Sequence, residues 1–207
     1  YGLQLQLVVY MDAAMEMLRG QHPKKEILPG GILYYHIDDP VLESDTPLSD
    51  EEAEQALLFA LRPDGLVNSG EEIYRAMDQN FEGKSQMIPV EIKKNGEIST
   101  ARSKVASTEE FAVITRYVEH EIRQCGEAIY AGNIAVNPYR SDIETSCTYC
   151  PYASVCGMDA KIPGYEYRQF ASMKKEEVLD QMQTELARNR GKEERSDEMD
   201  EGTAGRH

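Results

Sequence analysis

The sequence predicts an α/β fold that ends in a small, cysteine-rich, metal-binding segment. An amphipathic helical pattern over residues 3–18 is followed at once by a β-rich run over residues 32–37. An Asn-Gly dipeptide at positions 95–96 lies between two apolar runs and is typical of a tight hairpin turn. Three of the four cysteines lie within residues 147–156. The first two observations predict the mixed core, and the third predicts the metal-binding segment.

The first helix is predicted from apolar residues that recur at three- and four-residue steps. These residues are Leu3, Leu7, Val8, Met11, Ala14, Met15 and Leu18. Gly20 fits the end of the helix, because glycine is favoured just beyond a helical C-terminus. The strand over residues 32–37 follows two glycines and is closed by Asp-Asp-Pro at positions 38–40.

Residues 41–87 are expected to be an insertion that forms a surface excursion, because they are rich in charge and glycine. Ser49 and Glu52 form a capping-box pattern at the start of a helix. The Pro-Asp-Gly at positions 63–65 ends that helix, and residues 71–80 form a second short helix.

A hairpin over residues 87–100 and a long helix are predicted next. Ser107 and Glu110 repeat the capping-box pattern at the start of the helix, and Gly132 fits its end. The apolar stripe of this helix includes Phe111, Ile114, Val118, Ile122, Cys125 and Ile129. We therefore expect Cys125 to be buried as a small hydrophobic residue.

The C-terminal part is predicted to be irregular and then helical. Residues 133–139 form an extended connector, and residues 147–156 form a loop-rich cysteine knot. A terminal helix is predicted over residues 174–187. Residues 188–207 are expected to be a disordered acidic tail, because they are charged and nearly free of large apolar groups. The main domain is therefore assigned to residues 1–173.

Charge and hydropathy narrow the possible functions. The formal net charge is −15, which argues against a free-standing DNA-binding protein, because attraction to phosphate needs a basic surface. The sequence shows no secretory signal at its start and no run of about 18 apolar residues. We therefore expect a soluble cytoplasmic protein that has no membrane partner. Because the first residue is Tyr1 rather than Met, we also expect the chain to be a fragment.

The strongest chemical signal is the motif Cys147-x2-Cys150-x5-Cys156. Two thiolates this close can turn onto one metal centre, and the third can close another corner. Thiolates are soft ligands that suit iron–sulfur clusters and zinc. Cys125 is the obvious fourth ligand, but its place on the apolar stripe favours an uncoordinated thiol. The fourth ligand is therefore expected outside this chain.

Three segments together resemble a known family. Residues 147–156 (CTYCPYASVC), preceded by Asn-Pro-Tyr at 137–139, are similar to the C-terminus of the AddB subunit of AddAB helicase–nucleases. Residues 1–10 (YGLQLQLVVY) look like the Gln-Leu-x-x-Tyr helix that follows the catalytic motif in RecB-type nucleases. Residues 33–40 (LYYHIDDP) resemble the AddB strand after that helix. The order and spacing of the segments make the resemblance specific over residues 1 to about 178.

The resemblance implies the C-terminal part of a PD-(D/E)XK, restriction-endonuclease-like nuclease domain with a 4Fe-4S cluster. In that family, carboxylates hold Mg²⁺, a lysine helps to position or activate the attacking water, and the metal stabilises charge on the phosphate. These groups precede the Gln-Leu-x-x-Tyr helix, so we expect them upstream of this chain, together with a fourth cysteine. The resemblance implies that Gln6 and Tyr10 are catalytic residues and that Cys147, Cys150 and Cys156 bind the cluster.

The resemblance also implies a function for the complete subunit. It would be an ATP-dependent helicase and Mg²⁺-dependent DNA exonuclease that processes double-strand breaks for recombinational repair, paired with an AddA-type subunit. The cluster would act structurally, because its bonds close a long loop and couple metal binding to folding. We expect the chain alone to be inactive, since the catalytic acids lie outside it.

Two alternatives remain open from the sequence. A Cas4- or Dna2-like iron-staple nuclease shares the three-cysteine pattern but is not expected to carry residues 41–87 in this form. A structural zinc-binding module would have no catalytic activity. Colour separates them, because an iron–sulfur protein is brown and a zinc protein is colourless.

Three further patterns could indicate functional sites, but we interpret each of them as structural. Glu91-Ile92-Lys93 matches an E-x-K nuclease motif on a strand, but it follows the Gln-Leu-x-x-Tyr helix instead of preceding it. The basic stretch of Lys93, Lys94, Arg102 and Lys104 could contact a DNA backbone, but we favour a solvated hairpin. His36 and His120 lack metal-like spacing to the cysteines, and His36 with Asp38 and Asp39 is interpreted as a solvated strand end.

Overall fold

The computed structural model describes residues 4–37, 39–44, 46–79, 81–142 and 144–204, with side chains described as far as Arg190. It divides into two compact units. The sheet unit comprises Gln4–Val118, and the cysteine unit comprises the described residues from Glu119 onward. The predicted main domain of residues 1–173 stays a prediction, since one functional domain can contain two compact units.

Helices and strands alternate along the chain, as a mixed α/β fold requires. The helices are α1 (Gln6–Gln21), α2 (Asp50–Ala60), α3 (Glu71–Met77), α4 (Thr108–Tyr130), α5 (Ala153–Cys156) and α6 (Lys175–Ala204). The strands are β1 (Gly31–Tyr34), β2 (Asp64–Asn68), β3 (Val105–Ala106), β4 (Tyr139–Arg140) and β5 (Arg168–Gln169). None of the helices in the described part of the chain combines the length and the hydrophobic composition that a membrane span needs.

The first helix and strand differ at their ends from the prediction. Helix α1 passes through Gly20 and ends at Gln21, where the backbone N–H of His22 donates to the Leu18 carbonyl at 2.8 Å. Gly20 is thus an ordinary helical residue and does not end the helix. Strand β1 ends at Tyr34, three residues before the predicted end. Its last residue, Tyr34, pairs with Asp64, the first residue of β2.

Strand β2 lies at the centre of a three-stranded sheet. It pairs antiparallel with β1 and parallel with β3. Gly65 has φ +147°, and a Cβ atom on it would lie 2.1 Å from the Ile32 carbonyl oxygen, so glycine allows the two strands to approach. Val67 is completely buried. The expected surface excursion over residues 41–87 was therefore wrong for the segment that contains β2.

A hydrophobic core cluster of the sheet unit includes one buried valine from β2 and one from β3. Its buried members are Val67, Tyr74, Phe81, Ile88, Val90, Ile92 and Val105. The rings of Tyr74 and Phe81 meet edge to face with 6.2 Å between centroids, a favourable geometry for aromatic pairs. Helix α3 contributes Tyr74, which places part of the predicted insertion inside the core.

The predicted hairpin forms only as a short turn with isolated pairing. Ile92 and Ile98 make one antiparallel bridge, and the Lys93 N–H donates to the Glu97 carbonyl at 2.8 Å. Gly96 has φ +86°, which glycine accepts without strain. The turn prediction is confirmed, but longer strands do not form on either side of it.

The predicted starts of α2 and α4 are confirmed by their hydrogen bonds. Ser49 and Glu52 form a complete capping box at α2. Ser107 and Glu110 do the same at α4, with Ser107 N–H to Glu110 Oε2 at 2.7 Å and Glu110 N–H to Ser107 Oγ at 3.2 Å. Gly132, with φ +70°, follows the end of α4. These local signals could be read directly from the sequence.

Helix α6 continues to Ala204, well beyond the predicted end at residue 187. Residues 188–204 therefore differ from the disordered tail that their composition predicted. Arg, Lys, Glu and Met, which are frequent in this segment, are good helix formers, and this agrees with the continued helix.

A buried amide joins four segments of the sheet unit. The Asn68 side chain is 1% exposed. Its Nδ2 donates to the Pro29 carbonyl at 2.9 Å and to Thr108 Oγ1 at 3.0 Å, and its Oδ1 accepts from the Gly70 N–H at 2.8 Å. These bonds tie β2 to the segment before β1, to the start of α3 and to the start of α4. Each bond replaces water that this buried site excludes.

An ion pair joins the start of β2 to the segment before β3. Lys104 Nζ lies 2.7 Å from both carboxylate oxygens of Asp64. The hydrogen bond from Lys104 holds the pKa of the Asp64 carboxyl below its ordinary value, with further help from the Gly65 N–H. Both side chains are more than half exposed, so water screens the pair.

We predict that Asn68→Ala lowers the free energy of unfolding by about 2–4 kcal/mol, because it leaves buried polar groups without partners. The chain has no tryptophan, so urea unfolding is followed by circular dichroism. Gln55→Ala, which removes an exposed amide from α2, is the matched control and should change stability by less than about 0.5 kcal/mol. Equal effects of the two substitutions would contradict the joining role of Asn68.

We predict that Asp64→Asn lowers stability at pH 7 by up to about 1 kcal/mol, the range for a screened ion pair. Because the folded-state pKa is lowered, the contribution is complete above the unfolded-state value of about 3.9 and is lost as the pH falls through the folded-state value. The stability difference between the two proteins should therefore shrink as the pH falls below about 3.9 and the carboxyl becomes protonated. A difference that is equal at pH 7 and at about pH 2 would show that Asp64 acts through something other than its charge.

Candidate functional site

Gln6 and Tyr10 lie together on the exposed face of α1. Gln6 Nε2 donates to the Tyr10 hydroxyl at 2.7 Å, as expected for residues four apart on a helix. Tyr10 is 59% exposed, whereas Val8 between them is buried. One side of α1 thus packs against the rest of the sheet unit, and the exposed side presents an amide and a phenol to solvent. Such a pair can donate to an anionic oxygen.

Glu91 and Lys93 of the E-x-K motif are engaged by other charged groups. Glu91 is largely buried, and its Oε1 accepts from Arg102 at 3.0 Å. Lys93 Nζ lies 3.9 Å from a Glu97 carboxylate oxygen across the turn. Their ionic partners are therefore Arg102 and Glu97. This geometry supports the structural interpretation of the motif.

The predicted basic stretch is mostly neutralised. Lys93, Arg102 and Lys104 each have a carboxylate within 4.0 Å. Pairing reduces the positive field that these side chains could present to a phosphate backbone. The arrangement agrees with the expected solvated hairpin more closely than with a DNA-binding patch.

The three clustered cysteines lie on a short, turn-rich loop. Cys147, Cys150 and Cys156 are free thiols and are all half-buried. The Cys150 N–H donates to the Cys147 carbonyl at 3.3 Å, which turns the chain between the first two. Cys156 ends α5, and Gly157 with φ +66° reverses the chain after it. The loop therefore brings three soft donors into one region of the cysteine unit.

A tighter group of possible ligands lies elsewhere. Among the described residues, His120, Glu121 and Glu185 form the group of three whose donor atoms all lie within 4.8 Å of one another. His120 Nε2 is already 2.7 Å from Asn189 Nδ2, and Glu185 is 3.9 Å from Arg188. Because His120 and Glu185 already have protein partners, we interpret the group as a polar contact between α4 and α6.

The expected burial of Cys125 was wrong. The thiol is exposed on α4, along with its stripe neighbours Ile122 and Ile129. The apolar stripe is present in the sequence, but its C-terminal half is uncovered in this chain. His36 is exposed after β1, and Asp38 lies outside the described residues.

Two short paired strands close the base of the cysteine loop. Strands β4 and β5 pair in parallel, and the rings of Tyr139 and Phe170 stack with 5.2 Å between centroids and an interplanar angle of 7°. We name Tyr139, Arg140, Arg168, Gln169 and Phe170 the clasp. Sequence reasoning missed its second half. The alternation of aromatic and polar residues over 165–168 was the available signal, since a period of two is typical of a strand.

The sequence matches the family model for the PD-(D/E)XK nuclease superfamily over residues 1–157. Proteins named as the B subunit of an ATP-dependent helicase/deoxyribonuclease are also similar. The one from Thermoanaerobacter sp. is 39% identical over 186 residues, covering 90% of this chain and 16% of that protein. The one from Lachnoclostridium phytofermentans is 40% identical over 187 residues, covering 86% and 16%.

A third protein of this name, from Clostridium botulinum, is 39% identical over 186 residues, again 90% of this chain and 16% of that protein. The chain thus spans about one sixth of the length of these relatives. The expected resemblance to AddB is confirmed, and the mixed α/β content agrees with the matched family. The chain belongs to the PD-(D/E)XK nuclease superfamily.

Proposed function

We propose that this chain is the C-terminal nuclease segment of an ATP-dependent helicase–deoxyribonuclease subunit that processes DNA double-strand breaks for recombinational repair. The observation that carries the proposal is the 39% identity, over 90% of the chain, to a protein named for both activities. The complete subunit would pair with an AddA-type subunit and cleave DNA as an exonuclease in the cytoplasm. When bound, Mg²⁺ would supply stabilisation of charge on the phosphate.

Charge indicates how such a segment would meet DNA. The chain carries a net charge of −15, and most of its predicted basic stretch is paired with carboxylates. Phosphate attraction must therefore come mainly from other parts of the complete protein. Contact through this chain would be local and would depend on uncharged donors, such as those on the exposed face of α1.

Gln6 and Tyr10 are the proposed contact residues on that face. Their hydrogen bond fixes the two side chains relative to each other, and both remain open to solvent. The amide of Gln6 has a second N–H, which is not needed for Tyr10 and can donate to a phosphate oxygen or help to orient a neighbouring catalytic group. This role matches the one that the family resemblance implies.

We also propose that Cys147, Cys150 and Cys156 bind a structural 4Fe-4S cluster. All three thiols are free and half-buried on one short loop. Thiolates are soft donors that suit an iron–sulfur cluster or zinc. The resemblance of residues 147–156 to the AddB C-terminus favours the cluster.

The cysteine unit has little buried apolar core among its described residues. Within its described residues, Leu179 is the sole buried apolar side chain. Small units with little core commonly depend on metals or disulfides, and here the thiols are free. A cluster anchored by these three cysteines and by a fourth outside the chain would restrict the unfolded state and stabilise the unit.

We predict that Gln6→Ala lowers kcat for Mg²⁺-dependent DNA cleavage by about 10- to 100-fold in the complete natural polypeptide. This is the range for losing one hydrogen bond to a charged group. The rate is measured on linear duplex DNA, and thermal unfolding checks that the variant is folded. Gln4→Ala, which removes the same side chain two residues earlier, should cleave at the wild-type rate. Wild-type cleavage by Gln6→Ala would contradict the role of Gln6.

We predict that Cys150→Ser in the complete polypeptide, purified without oxygen, loses most of its iron and its brown absorbance. A serine hydroxyl is a hard donor that replaces a thiolate poorly. Cys125→Ser is the control, and it should keep both, because Cys125 is not a proposed ligand. Full iron content in Cys150→Ser would contradict the cluster assignment. A colourless wild-type protein with bound zinc would instead favour the zinc-binding module.

A further inference from the structure

The cysteine loop is closed at its base by backbone pairing within the cysteine unit. In the clasp, the Arg168 N–H donates to the Pro138 carbonyl at 2.9 Å, and the Phe170 N–H donates to the Arg140 carbonyl at 2.8 Å. The three clustered cysteines all lie in the chain between these strands. The clasp thus fixes both ends of the loop with contacts made by protein groups alone.

Aromatic and cationic side chains reinforce this pairing. The Tyr139 and Phe170 rings are parallel and half-buried, and the Arg168 guanidinium lies 5.3 Å from the centre of the Phe170 ring. Arg140 lies 4.1 Å from the centre of the Tyr167 ring. Stacked rings and cations over ring faces each add stabilisation beyond simple burial. Two residues of strand pairing would be weak without them.

Tyr139 also connects the clasp to the first cysteine. Its N–H donates to Ser146 Oγ at 3.0 Å, and its carbonyl accepts from the Ser146 N–H at 3.1 Å. Ser146 directly precedes Cys147, whose N–H donates to Thr145 Oγ1 at 3.2 Å. A shift of the Tyr139 backbone, which the stacked Tyr139 and Phe170 rings help to hold, would therefore move the backbone that carries the Cys147 sulfur.

The tip of the loop has no comparable packing of its large side chains. Tyr149 is 91% exposed, and Tyr152 and Val155 are also mostly exposed. These residues flank Cys150 and Cys156. Side chains that remain in water contribute little burial energy, so the loop depends on its base for its position.

We propose that the clasp is a positioning device for the iron–sulfur site, with Tyr139 and Phe170 as its positioning residues. It holds Cys147 in place before the cluster is inserted and slows the release of iron afterwards. This inference rests on the proposed cluster. It adds two aromatic residues that bind no metal but determine how firmly the metal centre is held.

The test measures how fast iron is released to excess EDTA from the complete natural polypeptide, kept without oxygen and below its unfolding temperature. Loss of visible absorbance reports the release. Phe170→Leu keeps apolar volume but removes the ring, and it should release iron about fivefold faster, the change expected for a stack worth about 1 kcal/mol. Phe170→Tyr keeps the ring and should release iron at the wild-type rate.

Phe81→Leu is the matched control, because it breaks the Tyr74–Phe81 ring pair of the sheet unit and should leave iron release unchanged. Unchanged release in Phe170→Leu, from a protein that binds iron normally, would overturn the clasp proposal alone. Faster release in Phe81→Leu would also overturn it, because release would then report general stability. A wild-type protein without iron would overturn the proposed cluster and the clasp proposal together.

Discussion

The side-chain amide of Asn68 is the interaction on which the sheet unit depends most. It lies at the end of the central strand and bonds to the segment before β1, to the residue that directly precedes α3 and to the start of α4. Because the site excludes water, removing the amide would leave its buried polar partners without hydrogen bonds. The segment before β1 follows α1, so the amide helps to hold the helix that presents Gln6 and Tyr10.

The cysteine unit is organised by a different constraint. It buries very little apolar surface within its described residues and is held instead by the clasp and by hydrogen bonds in its turns. A chain of this kind gains most from a metal centre, because each metal–sulfur bond restricts a loop that packing does not fix. The two units thus show two ways of stabilising a fold within one chain: a packed core and an anchored loop.

The sequence predicted features that depend on a few neighbouring residues. The capping boxes at Ser49 and Ser107 and the turn at Gly96 are local, and all are present. Strand β2 was missed because Asp64 and Gly65 are typical turn residues, and only pairing with β1 and β3 makes them part of a strand. The clasp was missed for the same reason, since two-residue strands are defined by their partners. The exposure of Cys125 depends on what covers α4, which periodicity does not specify.

The resemblance to a known family supplied the proposed cluster ligands, which geometry alone leaves open. The thiols of Cys147, Cys150 and Cys156 are free and close in sequence, and both a cluster and zinc accept such donors. X-ray absorption at the iron edge of the complete polypeptide, purified without oxygen, tests this most directly. We expect sulfur neighbours around each iron and a second shell of iron. An iron-free protein, or iron bound only to oxygen and nitrogen, would contradict it.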